Sequence, residues 1–308
     1  MDMSTGSEPV TIVGAGIAGA ACAVVLRDAD IPFRLVERGR SVGGRMASPE
    51  LHGRRVDIGA GYFTVRDRAF TDVVGRWEDA GLARRWTDTF GVLSPGNSPT
   101  SSTGPMRWAT PGGLRSLVRE LLGDIGVDSE EITTVPDGDV VLAMPDPQAN
   151  RLTPVPDPVG YDPVLTVVLG FDSLTLPFEN AAFVNDHPVL EFLADDGARR
   201  GDGASVLVAH TTASLAREYL DHPDDAVAPV IDAVTEVIGS TPSWTHVHRW
   251  TFAKPVSAHA STFGCVQNRS STLYFAGDQW SPGGPPRIES AWRSGSDAGR
   301  AVVDRRRR

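Results

Sequence analysis

Lysine is almost missing from this 308-residue chain: Lys254 stands alone, and arginine supplies the other 28 of its 29 basic side chains. Acidic residues number 39, for a formal charge of −10, which argues against a nucleic-acid surface because phosphate binding needs clustered cations. The terminal run Asp304-Arg305-Arg306-Arg307-Arg308 is the local exception and reads as a solvated, disordered tail. Cysteine is equally scarce. Cys22 and Cys265 have neither the paired spacing of a metal site nor a disulfide framework, in keeping with a reducing compartment. No apolar run reaches the roughly 18 residues that cross a bilayer. The opening MDMSTGSEP lacks the basic and apolar regions of a secretion signal, so a cytoplasmic protein with no membrane partner is expected. There is no internal repeat, and no serine has the strand-to-helix context of a triad nucleophile. With 41% hydrophobic and 22% charged residues, the chain suits two ordinary globular domains.

What is present begins at Val10. Val10, Ile12 and Val13 make a short apolar strand, Gly14, Gly16 and Gly19 follow, and residues 18–26, starting at Ala18, are rich in helix formers. That order is a dinucleotide turn. The first glycine permits the tight turn, the second lets backbone amides reach a pyrophosphate, the third lets helix and strand pack closely, and the helix N-terminus adds partial positive charge. A glycine pattern alone is weak, but a second apolar stretch, 33–36, ends at Glu37, near the offset of about 20 residues at which a carboxylate meets a ribose diol. The same carboxylate would repel the 2′-phosphate of NADP. Arg38 adjoins it, and Gly43-Gly44-Arg45 then offers a second backbone approach and a cation for the pyrophosphate.

Near the other end, TLYFAGDQW (272–280) is an apolar strand that delivers Gly277 and Asp278 to a turn, with Asp278 suited to a ribityl hydroxyl. A helix then starts near Pro286 or Arg287, with Pro286 fitting its first position and Ile288 following, and runs to Val303. A helix N-terminus there suits the negative charge that builds at the N1 and C2-carbonyl edge of a reduced flavin. Between these ends, 70–80 has helical spacing, LSPGNSPTSSTGP (93–105) is a loop by composition, and 111–122 is an amphipathic helix. Residues 138–145 read as a buried strand and 145–163 as a proline-rich boundary. PVLTVVLGF, SVLVAHTT and HVHRWTFAKP read as strands of a second sheet, with helices at 213–219 and 227–238. The nucleotide domain is therefore expected to be discontinuous, 1–61, 105–150 and 250–308, with a substrate domain of 62–104 and 151–249.

The set GAGIAG, VERGRSVGGRM, DIGAGYFT, RWATPGGLRSLVREL, VVLAMPDPQANRL, HRWTFAKP and GDQW…RIESAWRSG resembles the bacterial renalase-like branch of the flavin-containing amine oxidase superfamily, from about residue 10 to residue 303. The resemblance implies an α/β protein: a glutathione-reductase-type Rossmann FAD-binding domain with a second α+β substrate domain on a mixed sheet. It implies non-covalent FAD, a small-molecule substrate oxidised by hydride transfer to flavin N5, and reoxidation by molecular oxygen with release of hydrogen peroxide. The family's reported substrates are misplaced-hydride isomers of reduced nicotinamide nucleotides. Three departures stand out. Gly61 occupies the place of the family's usual glutamine, the turn SPGGPPRIE is longer than usual, and 123–137 is too short for the adenine-flanking strand and small β-meander that the family places there. They motivate a second reading, a flavin-poor descendant acting as a binding protein or in non-redox chemistry. A third, an NAD-dependent dehydrogenase, leaves the GDQW turn and closing helix without a role.

Tyr62, Trp108, Trp250 and Trp280 fall at motif edges and are candidate walls for a planar substrate, though each equally suits core packing. His248 matches the family's histidine before the Arg-Trp pair and is suited to bond a substrate carbonyl; the plain alternative is a satisfied structural histidine. Lys254 is the only candidate for the lysine and water found near N5 in many flavin oxidases, against an exposed strand-end lysine.

Overall fold

The computed structural model describes residues 8–267 and 271–308. It divides into a first unit of Met1–Gly44, Val118–Gly160 and Pro255–Arg308 and a second of Arg45–Leu117 and Tyr161–Lys254. The sequence reading draws these limits elsewhere, giving 45–61, 105–117 and 250–254 to the nucleotide domain and 151–160 to the substrate domain. A buried ionic cluster, described below, ties the first two of those stretches into the second unit.

In the first unit, the strands Gly264–Gln267, Thr272–Ala276, Val140–Ala143, Val10–Val13, Phe33–Glu37 and Val127–Ser129 form one sheet in that order. The last five are parallel, with Ala276 beside Ala143, Leu142 beside Val13 and Val13 beside Val36. The edge strand Gly264–Gln267 is antiparallel to its neighbour. VTIV and TLYFA are buried throughout, the continuous apolar pattern of strands covered on both faces. Their C-terminal ends share one edge, where open parallel sheets bind ligands. The helix Ile17–Asp28 packs on the closing helix Ile288–Arg306. Close approach is possible because the facing residues are small: a Cβ on Gly295 would lie 1.9 Å from the Ala18 carbonyl oxygen, and one on Gly299 3.0 Å from Val25 Cβ.

Two sequence expectations change here. The arginine run is not a free tail, since the closing helix continues to Arg306. Arg305 pairs with Asp139, and Arg306 Nε lies 3.2 Å from the other oxygen of that carboxylate, which also accepts the Thr272 amide at 2.9 Å. The segment 123–137 does keep a strand: Val127–Ser129 pairs with Leu35–Glu37, setting Ser129 beside Glu37. No other strand occurs in that segment.

The second unit holds an eight-stranded sheet, in the order Trp244–Pro255, Tyr161–Gly170, Val206–Thr211, Leu190–Asp195, Ala181–Val184, Arg84–Leu93, Thr100–Ala109 and Phe63–Thr64. Ala181–Val184 and Arg84–Leu93 run parallel, so the sheet is mixed. One face, with Val167, Leu169, Leu193, Leu207 and Ala209, is covered by Leu215 of the helix Ala213–Glu218 and by Val230, Ala233 and Val234 of Val227–Ile238. The other face carries Val168, Val206 and Val208 next to Trp250, and Phe90, Ala181 and Phe192 next to Tyr62. The stretch expected as a loop over 93–105 is mostly a hairpin. Thr100–Ala109 pairs back on Arg84–Leu93, with Thr103 opposite Thr89 and their hydroxyls 3.0 Å apart. Serine and threonine read as loop by composition, yet β-branched threonine suits a strand once a partner is present. Among the described residues, no helix is long and apolar enough to cross a membrane.

Beneath the second face lies an ionic cluster. Asp196, Arg199, Arg200 and Asp57 are all buried. Arg199 bonds Asp196 and donates to the carbonyls of Asp57 and Gly61 at 3.1 Å each. Arg200 Nη2 lies 3.1 Å from Asp57 Oδ2, and its Nη1 donates to the Thr110 and Pro111 carbonyls at 3.3 Å. Asp57 Oδ1 accepts from the Ser48 hydroxyl at 2.5 Å and the Leu114 amide at 2.9 Å. Charge pairs and carbonyl bonds together fix the DIGAG loop and the Pro-Gly-Gly turn to the second sheet.

Candidate functional site

The glycine turn follows from contacts at the strand edge. Gly14 has φ +105°, and a Cβ there would lie 2.5 Å from the Ala143 carbonyl oxygen of the adjacent strand. A Cβ on Gly19 would lie 1.8 Å from Gly14 O, so both positions are closed to any side chain. Gly16 differs, because a Cβ there meets nothing within 4 Å. It is also the N-cap of Ile17–Asp28, with no side-chain cap bond and no acidic residue in the first turn. The first-turn amides around Ala18 are thus a ready anion site next to the open side of Gly16.

Gly43 and Gly44 return to this turn. The Gly43 amide donates to Ala15 O at 2.8 Å, and Gly44 approaches Gly16 closely enough that a Cβ on Gly44 would lie 3.6 Å from the Gly16 Cα. Glu37 Oε2 accepts the Ala15 amide at 2.9 Å and Oε1 the Gly39 amide at 2.7 Å. The structure therefore gathers Gly14, Gly16, Ala18, Gly19, Glu37, Gly43 and Gly44. Arg38 instead points to Glu131, at 3.8 Å with both side chains exposed. Arg45, in the second unit, donates to Ala253 O at 3.0 Å and lies 5.7 Å from the Tyr161 ring centre.

Two strands along the same edge, Gly277 and Asp278 meet the start of the closing helix. That helix begins at Ile288 with Arg287 as its cap, not at Pro286, because the Ser290 hydroxyl takes the Arg287 amide at 2.8 Å. Ser294 Oγ takes the Gly277 amide at 3.0 Å, and Ser290 Oγ lies 3.2 Å from Asp278 O. Sequence reasoning missed both serines, whose signal was their spacing of four on the helix face that meets the strand end. It also missed Asp146. This buried carboxylate accepts Gln279 Nε2 at 2.8 Å, the Val159 amide at 3.0 Å and a bond with His259 Nε2 at 2.7 Å, while Trp280 stacks on His259 at 3.6 Å. Trp280 is therefore part of the support of the GDQW turn.

The aromatic and basic candidates lie in the second unit. His248 and Trp250 sit together, ring centres 4.4 Å apart, and Trp250 Nε1 donates to Ile58 O at 2.8 Å. Burial, then the neighbouring His246 and Arg249, push His248 below the usual histidine range. Tyr62 lies edge-on to Phe90 at 5.2 Å, with Arg107 5.6 Å from its ring centre. Trp108 is 8% exposed and stacks on Phe63, which meets Phe70 and Trp77. Lys254, at the end of its strand, is half-buried and pairs with Glu191. At Gly61 a Cβ would lie 2.9 Å from the Phe192 ring, so a longer side chain there needs Phe192 to move.

An NAD(P)-binding Rossmann-like domain matches residues 12–77, and the flavin containing amine oxidoreductase family matches residues 104–303. Renalase of Mus musculus is 23% identical over 302 residues, covering 81% of this chain and 86% of that protein. Cyclohexylamine oxidase from Brevibacterium oxydans has the same fold with a TM-score of 0.76 at 15% identity, covering 98% of this chain and 100% of that one. Wild-type putrescine oxidase bound to putrescine superposes with a TM-score of 0.68 at 14% identity, covering 97% and 99%. With a family match spanning most of its length on a Rossmann-type fold, the chain belongs to the flavin-containing amine oxidoreductases.

Proposed function

We propose that this protein holds FAD without a covalent bond and oxidises a small, planar, reduced molecule by hydride transfer, with molecular oxygen as acceptor. The cytoplasm suits its two unpaired cysteines. The open side of Gly16 at an uncapped helix N-terminus carries the reading, with Glu37 closing the neighbouring strand. These residues fit a dinucleotide: the amides would take the pyrophosphate, Glu37 the ribose hydroxyls, and Asp278 on its serine-pinned turn a ribityl hydroxyl. Bound flavin would supply the hydride acceptor and the route to oxygen. The chain itself needs to orient the substrate and exclude water, with no nucleophile; Tyr62, His248 and Trp250 offer planar recognition in the second unit.

Two variants separate folding from cofactor binding. Gly16→Val is expected to melt like the wild type, since its Cβ meets open space, yet to lose at least about tenfold in FAD affinity as its side chain enters the phosphate position. Gly19→Ala is expected to fold poorly, because its Cβ falls against Gly14 O. Thermal melts and flavin titration check both, and unchanged FAD affinity in Gly16→Val counts against the site. The reaction is tested by anaerobic mixing of FAD-loaded protein with cyclic amines and dihydropyridines. Bleaching of the flavin band, with colour and hydrogen peroxide returning on exposure to air, is expected. Tight FAD that no member bleaches favours non-redox chemistry, the reading that Gly61 motivates.

A further inference from the structure

Thr166, His210 and Phe192 form a row across three neighbouring strands of the second unit: Thr166 is the register partner of His210, and His210 that of Phe192. Strand alternation puts the row on the face away from the two covering helices. Leu165 and Val167 flank Thr166, Ala209 flanks His210, and Val167 and Ala209 enter the helix-covered core. Thr166 is 0% exposed, and its hydroxyl has no hydrogen-bond partner. His210 Nε2 is likewise buried and unpartnered. The Phe192 ring lies 5.6 Å from the imidazole and continues into Phe90 at 5.7 Å and Tyr62 at 6.1 Å.

Burying a polar atom without a partner is costly, and most native buried polar atoms have one. Two such atoms on one cross-strand pair, beside a run of flat rings, are what a binding site for a flat polar group requires. Charge narrows the class. Burial, with Lys254 and Arg199 adding, pushes His210 down to about 3, so at neutral pH the uncharged ring offers one donor and one acceptor. The carboxylates nearby are engaged: Glu191 with Lys254, and Asp57 and Asp196 with Arg199 and Arg200. An alkylammonium finds no free counter-charge among these groups.

We propose that Thr166 and His210 determine substrate specificity by recognising an uncharged planar group that both donates and accepts hydrogen bonds, and that they select against an alkylammonium. The proposal rests on the reading above of a small planar substrate and assigns its polar contacts.

Benzamide and benzylamine, with the same ring and opposite polar chemistry, are the probes. Calorimetric titration of the FAD-supplied protein is expected to show benzamide binding at least about tenfold more tightly than benzylamine. Thr166→Val and His210→Phe should each weaken benzamide by about tenfold, the effect of one net hydrogen bond, leaving benzylamine and FAD affinity unchanged. Thr166→Ser should retain benzamide. Because Thr166→Val keeps the shape and removes an unpaired polar atom, its melting temperature should hold or rise; a purely structural hydroxyl would make it fall. Absence of benzamide binding, equal or tighter binding of benzylamine, or benzamide affinity indifferent to both substitutions overturns the proposal. Protein that takes up no FAD but shows the benzamide pattern refutes the cofactor reading and leaves this site standing.

Discussion

Asp196→Asn is expected to destabilise the folded protein by about 3–5 kcal/mol, the usual loss when one partner of a buried ion pair is removed. Asp196 is 0% exposed and meets three guanidinium groups: Arg199, Arg200 at 3.4 Å and Arg54 at 2.5 Å. Asparagine leaves Arg199 and Arg200 buried with less compensation. Loss of their carbonyl bonds would also free the loop at Gly61 and the turn at Thr110. The pH dependence has a definite sign. Burial raises the Asp196 carboxyl, but the charges of Arg199 and Arg200, the Arg199 bond and Arg54 outweigh it and hold the group below the ordinary carboxylate range. Its stabilisation is therefore complete above the unfolded value of about 3.9 and is lost as pH falls through the lower folded value. Urea unfolding at pH 7 should show the full deficit in Asp196→Asn, and the two proteins should converge in acid. A deficit under about 1 kcal/mol, or a gap that does not narrow in acid, contradicts this account of the cluster.

Glu37→Ala is expected to cost about 1.5–3 kcal/mol of FAD binding, the range for hydrogen bonds to a charged group, or about 10- to 150-fold in affinity. Its carboxylate already takes the Ala15 and Gly39 amides. Each oxygen has a further lone pair, so it can hold the turn and accept ribose hydroxyls together. Flavin titration of the purified variant checks the expectation, and excess FAD should partly restore occupancy. A folded Glu37→Ala protein with wild-type FAD affinity would mean that the wrong turn has been assigned.

The strand edge was legible because its signals are local. Gly14, Gly16 and Gly19 sit within one turn, Glu37 ends the next apolar run, and the closing helix follows directly on the GDQW strand. What was missed depends on partners far along the chain. Asp57, Asp196, Arg199 and Arg200 look like surface charges until Asp57 meets residues more than a hundred positions away. Thr100 to Thr103 look like loop until Arg84–Leu93 lies beside them. The terminal arginines look like tail until Asp139 meets them. Ser290 and Ser294 gained meaning only once the strand end at Gly277 was placed against their helix. Trp108 and Lys254 carry two readings each in the sequence, and the structure adds only that Trp108 stacks on Phe63 and Lys254 pairs with Glu191.

The most direct measurement is to purify the protein in the presence of FAD, remove free flavin, denature it with acid and identify what is released. Roughly one equivalent of intact FAD in the supernatant, with no colour left on the precipitated chain, is the result that follows from the open Gly16 turn and Glu37. A folded protein that retains no flavin after such loading, or that releases a nicotinamide nucleotide in its place, would contradict it.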